Sequence, residues 1–358
     1  MEQAAPFFFY ADSLPKILYN EGISILFSTY QAGKLVFISS VNGTSLVKYA
    51  TNFKRPMGVA FDEQRNNLAV ASNYTLDIFG STPQLSSGYP VRENHYDRLF
   101  IPQAKYYTGF VDTHEIEFGD EGLWTVNTKF SALTLMNEGR HFETKWKPSF
   151  ISGLYPEDRC HLNGLAMKNG KPQFVSMFSQ SDSKEAWKNL PKNNGLIMDI
   201  ETEKVLVDGL TMPHSPKLFD DKIYFLQSGT GQIMYYDLNT KETKQVAVLK
   251  TFLRGLEIVG DYLFVGASML REKSTSFGQL PISNDETFCG LYIFNRHTGK
   301  QMGGLSYTDK VKEIFSVKVL QNTMMPGLLT ERDEYFNRCL MAEPKVNFWL
   351  TKASESED

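Results

Sequence analysis

The sequence predicts an all-β fold, a six-bladed β-propeller, with seven blades as the nearest alternative. Three observations carry that expectation. A unit of short strands separated by acidic or glycine turns recurs about once every fifty residues. Helical patterns are scarce. A lone strand-like segment near the C-terminus, Glu313 to Leu320, supplies the leading strand that the N-terminal unit lacks, so both chain ends would close one ring and remove its open edges.

Composition sets the outer limits. Hydrophobic residues make up 42% of the 358 residues and aromatics 13%, enough for a substantial core, so disorder does not describe most of the chain. The net charge is −4 and the 37 basic residues are not clustered, which removes the electrostatic footprint a nucleic acid would require. No basic leader precedes an apolar stretch at the start, and no apolar run reaches membrane-spanning length, so the expectation is a soluble, cytoplasmic protein with no membrane partner. Three cysteines, Cys160, Cys289 and Cys339, are too few for a disulfide framework.

In chain order, the Phe-rich start is followed by strands over Ile23–Thr29, Lys34–Ser39 and Ser45–Ala50. Arg55–Gly80 and Thr113–Asn137 each read as an apolar strand, an acidic turn, a second strand and a third. His161–Ser179 repeats the pattern, its third strand (Gly195–Ile200) arriving after an insertion. Thr211–Leu238 is the clearest copy: Asp220-Asp221 turns the chain into the Ile-, Tyr- and Phe-rich Lys222–Gln227, and Ser228–Gly231 turns it again. Leu253–Leu270, completed by Cys289–Asn295 after a second insertion, is the last full unit. A single propeller domain is expected over 1–322. Residues 323–358 are read as an extension with a short helix at Glu331–Met341, ended by Pro344, and a frayed tail.

No general catalytic signature is present. There is no Walker loop, nucleophile elbow, H-E-x-x-H or C-x-x-C, and Gly229–Gly231 reads as a hairpin turn. Topology points to a site instead. In a propeller the starts of the inner strands share one face with the loops between second and third strands, which places His114, His161, Asn163, His214 and Arg254 around a common funnel. The insertions Ser179–Asn194 and Ser268–Phe288 fall on the same face, as do Tyr106, Tyr107, Trp187 and Phe277, read as loop aromatics.

Imidazoles from successive blades would converge near the axis. His114, His161 and His214 are therefore candidate ligands of a divalent metal ion or candidate proton-transfer groups, with Glu115, Glu117 or Asn163 as added oxygen donors. Capping of strand ends in a polar funnel accounts for the same histidines. Arg254 could hold a carboxylate or phosphate, or pair with Glu313 or Glu257. Cys160 beside His161 reads as a buried structural thiol, since adjacent strand residues point to opposite faces.

The motifs FSTYQAGKL (Phe27–Leu35), RPMG (Arg55–Gly58), YDRLFIP (Tyr96–Pro102), PEDRCHLNGLA (Pro156–Ala166), MPHSP (Met212–Pro216), SGTG (Ser228–Gly231), LPI (Leu280–Ile282) with CG (Cys289–Gly290), and EIFSVKVL occur in order. On these the chain resembles a functionally uncharacterised family of propeller-like proteins, over about residues 23 to 322. The resemblance implies the same fold and brings no activity or substrate. Ser316 stands where the related pattern places Asp. The functional expectation is binding of a small polar molecule in the central pocket through the three histidines, Asn163, Arg254, Glu115 and Trp187, or metal-assisted hydrolase or lactonase-like chemistry by analogy with other six-bladed propellers. A non-catalytic protein-interaction scaffold is the alternative.

Overall fold

The computed structural model describes residues 8–270, 280–282, 287–308, 310–343 and 346–350. Phe277, Pro344 and the tail beyond 350 lie outside the described residues. Six sheets of four or five strands form the blades, and a separate two-stranded sheet follows them. The six-bladed expectation holds, and seven blades is excluded.

Each blade is an antiparallel meander from the axis outward. Blade two runs through Val59–Asp62, Asn67–Ala71, Thr75–Gly80 and Arg98–Tyr107; blade three through Thr113–Gly119, Gly122–Asn127, Ala132–Asn137 and Arg140–Trp146. Blade four uses Leu162–Lys168, Lys171–Met177, Gly195–Asp199 and Val205–Leu210. Blade five uses Pro213–Phe219, Lys222–Gln227, Gln232–Asp237 and Thr243–Val248, and blade six Phe252–Val259, Tyr262–Ser268, Gly290–Asn295 and Gln301–Tyr307.

Blade one is composite. Its inner strand, Ser316–Gln321, comes from the C-terminal side and pairs antiparallel with Ile23–Thr29, followed by Lys34–Ser39 and Val47–Asn52. Ser24 Oγ donates to Thr323 O at 2.6 Å and Phe315 N to Ser28 O at 2.9 Å, bracketing the junction. Two more exchanges reinforce it. Phe8–Tyr10 adds to the outer edge of blade six, and Pro326–Leu328 adds in parallel to the outer edge of blade two.

Inner and middle strands are continuous apolar runs because both faces are covered by neighbouring blades. Ile23, Ile25 and Phe27 pack towards blade six, whereas Leu26 packs towards blade two. In blade five Ile223 and Phe225 face blade four, and Tyr224 and Leu226 face blade six. The two-residue period of a strand thus feeds two cores at once.

Three local expectations are corrected. Glu331–Met341 is not a helix: the Asp333 carboxylate accepts from the backbone N–H of Thr330, stabilising a turn; a single 3-10 turn covers Phe336–Arg338, and Cys339–Glu343 then pairs with Val346–Trp349 as a hairpin. Its inward face, with Met341 and Trp349, packs on Leu85, Leu99 and Ile101. Tyr106 and Tyr107 end a strand rather than lying in a loop. The third N-terminal strand is Val47–Asn52, shifted from the expected span. A helix over Ser13–Glu21 was not anticipated; Leu14, Ile17 and Leu18 seat it on blades one and six, and Gly22 at φ 62° ends it.

Candidate functional site

The inner strands of blades four, five and six carry register shifts near their starts, at Leu162/Gly164, His214/Lys217 and Leu253/Leu256. His161 (φ 51°), Ser215 (φ 53°) and Gly255 (φ 81°) adopt left-handed backbone there. Such conformations are sustained at non-glycine residues only where surroundings over-determine them. Ser215 and Gly255 fall within the bulges and His161 immediately precedes one, where the chain re-aims side chains at the funnel.

His114 and His214 are held by the same device. His214 Nδ1 lies 3.0 Å from Met212 O and 2.8 Å from Ser228 Oγ; His114 Nδ1 lies 3.0 Å from Asp112 O and 2.9 Å from Thr128 Oγ1. A carbonyl can only accept, so the proton sits on Nδ1 in both rings. Thr128 in turn donates to Leu162 O at 2.6 Å, tying blade three to blade four. His161 is oriented differently: its Nδ1–H donates to Asp158, 2.9 Å away, and the same carboxylate accepts from Trp187 Nε1 at 3.0 Å. Trp187 lies on a 3-10 turn of the blade-four insertion and packs against His161, its ring tilted by 37° with ring centres 4.1 Å apart.

These rings form a nearly continuous aromatic collar. His114 meets His161 at 4.9 Å, His161 meets Phe178 at 4.4 Å, and His214 bridges Phe178 and Phe252 at 5.2 and 5.7 Å. Phe315 closes the arc beside His114, and the Arg254 guanidinium lies 3.3 Å from its ring centre. Of the two anticipated partners of Arg254 it is Glu313 that stands at 3.7 Å. Burial drives the His114 pKa down to about 3 and that of His214 well below the usual value, with the Arg254 charge adding to the depression of both. Burial also pushes the Cys160 thiol up to about 12, so it is a protonated core residue.

Below the collar the axis is filled by charge. Lys217 from blade five contacts Glu115 at 2.9 Å and also Glu117, both from blade three; Lys318 of the closing strand reaches Glu117 at 2.6 Å and Glu257 of blade six at 3.3 Å. Burial raises the Glu115 carboxyl in spite of Lys217. Burial alone would raise Glu117 as well, yet two lysines hold it below its ordinary value. The inner-strand side chains also stitch blades together. Glu115 Oε2 accepts from Leu165 N, Ser215 Oγ from Gly255 N and Ser316 Oγ from Val59 N, at 3.0 to 3.3 Å.

The structure brings His114, Glu115, Asn163, His214 and Arg254 to one axial cavity. That cavity measures only about 10 Å³, room for about one water molecule. His161 and Trp187 pack beside it. Asn163 is committed to His161 O and Ser176 Oγ, at 3.2 and 2.7 Å. Among the described residues no three His, Cys, Asp or Glu side chains form a metal-holding group. Sequence reasoning missed Asp158, Phe178, Phe315 and the Lys217–Lys318 pair; its available signal was a charge recurring inside otherwise apolar inner strands.

A search of solved structures finds a chain from a crystal structure of a nidogen/laminin complex, with a TM-score of 0.55 and 9% sequence identity over 84% of this chain and 99% of that one. At that identity the likeness speaks for the fold alone. A search of curated proteins finds no match. In one further comparison, residues 12–329 match the family described as a domain of unknown function, DUF4915, and the chain belongs to that family.

Proposed function

We propose that the protein is a non-catalytic binding propeller, an interaction scaffold whose axis is a structural spine. The observation that carries this reading is the closed axis. Its lysines and glutamates pair with one another, and the space left beside them admits about one water molecule, far below the several hundred cubic ångströms of an ordinary ligand pocket. Propellers without an open funnel still offer two broad faces built of loops, and recognition then rests on surface residues.

One observation favours a second reading. The Asp158–His161 pair has the form of an oriented general base, with Nδ1–H fixed by a carboxylate. Turnover of phenyl acetate and dihydrocoumarin separates the two. The scaffold reading expects no turnover above that of heat-inactivated protein. Turnover that disappears in a folded His161→Asn variant would overturn it. The positive arm is crosslinking in an extract of the source cells, followed by titration of the purified partner, whose affinity should be the same for wild type and for His161→Asn.

A further inference from the structure

A second cavity lies far from the axis, where the outer parts of blades one and two splay apart. It holds about 520 Å³, within the range of small-molecule sites. Phe53 from the end of blade one and Phe79 from blade two meet edge to face at 6.2 Å and form its apolar wall. Tyr74 lies at its rim with Lys54 Nζ 4.9 Å from the ring centre. The roof is Thr330, Glu331, Arg332 and Phe336 of the C-terminal arm. Walls and roof have different origins: the walls lie within the family match at 12–329, and the arm begins just beyond it.

Lys105 is the pivot of this cleft. Its ammonium sits 3.3 Å from Asp77 and 2.9 Å from Glu331. The two acids differ in kind. The Asp77 side chain is 13% exposed and accepts from Thr75 Oγ1, whereas Glu331 is 69% exposed and belongs to the arm. An ion pair this open contributes little and exchanges readily. Once Glu331 leaves, Lys54, Lys105 and Arg332 stand against the Asp77 carboxylate alone among the lining residues. Ser72 also lines the cleft.

We propose that this cleft binds an amphipathic carboxylate, a small molecule with one anionic head and an aromatic or aliphatic body, and that Glu331 occupies the head position in the structure. The head sits on Lys105, the body lies along Phe53 and Phe79, and the arm acts as a tethered competitor. This site is independent of the axial reading, and neither depends on the other.

The test is calorimetric titration of the full chain with 2-naphthoate and with the neutral 2-naphthamide. Naphthoate should bind. Lys105→Gln should weaken it by about tenfold, the usual scale of one charge-assisted hydrogen bond, and leave naphthamide unchanged. Lys105→Arg, which keeps the charge, should retain naphthoate binding. Glu331→Gln should tighten naphthoate several-fold by removing the competitor, and Phe53→Ala should weaken both compounds. Thermal melts establish that each variant is folded. Equal naphthoate affinity in wild type, Lys105→Gln and Glu331→Gln overturns the proposal, as does absence of binding to Glu331→Gln at millimolar concentration.

Discussion

Acid should loosen this ring through two particular histidines. His114 and His214 are 8% and 4% exposed and remain neutral in the fold, because burial and the nearby Arg254 charge depress both. The unfolded chain titrates them with a pKa of about 6.5. Above that value neither state carries the proton and nothing is lost. As pH falls through it the unfolded chain takes up protons that the fold refuses, so stability declines until His114 itself titrates at about 3. Between pH 7.5 and pH 5.5 each histidine should cost roughly 1.4 kcal/mol, and the pair roughly 3 kcal/mol. The assay is urea unfolding followed by tryptophan fluorescence at both pH values, for wild type and for His114→Gln/His214→Gln. The double variant keeps hydrogen-bonding side chains but cannot titrate, so its stability should fall by roughly 3 kcal/mol less over that interval. Parallel pH dependence of the two proteins would refute the argument.

Lys217→Met removes the charge shared by Glu115 and Glu117 and should cost about 3 to 5 kcal/mol in urea unfolding, part of it returned by adding Glu115→Gln. Asp158→Asn keeps a residue tolerant of the left-handed backbone at that position but weakens acceptance from His161 and Trp187; a loss of about 1 to 2 kcal/mol and a shift in tryptophan emission are expected. Gly164→Ala would place a Cβ 2.3 Å from both Pro216 Cδ and Ser176 Oγ, wedging blades four and five apart at their inner strands; a thermal melt should report destabilisation by about 1 to 3 kcal/mol.

The architecture could be read from the chain because each blade repeats its own punctuation. Asp220-Asp221 turns blade five, and Glu313–Leu320 stands out as a strand without a sequel. The helix at Ser13–Glu21 was legible in principle, since Leu14, Ile17 and Leu18 have helical spacing, but Pro15 in the same short run counts against a helix by composition although it is tolerated in the first turn. Glu331–Met341 shows the opposite failure. Its composition suits a helix, yet Asp333 stabilises a turn at Thr330, and Cys339 and Met341 find apolar partners on blade two only as an alternating strand. The axial histidines were placed correctly near one another by topology. What filled the space between them was not visible, because Lys217, Glu117, Lys318 and Glu257 come from four different blades and their pairing exists only after the ring has closed.

The composite first blade also bears on how the protein is made. Ser28 and Ser316, joined by a hydrogen bond from Ser316 N to Ser28 Oγ, are 288 residues apart. At translation speeds of about 5 to 20 residues per second, the strand Ile23–Thr29 waits roughly 15 to 60 s after leaving the ribosome before its inner neighbour exists. Throughout that interval a buried strand of the finished molecule, Ile-Ser-Ile-Leu-Phe-Ser-Thr, presents an open edge. Its seven residues are apolar apart from hydroxyls, and no charge or proline guards them. The nascent chain is therefore vulnerable to wrong pairing until the closing strand Ser316–Gln321 emerges, and a chaperone that shields this edge would act during synthesis rather than after it.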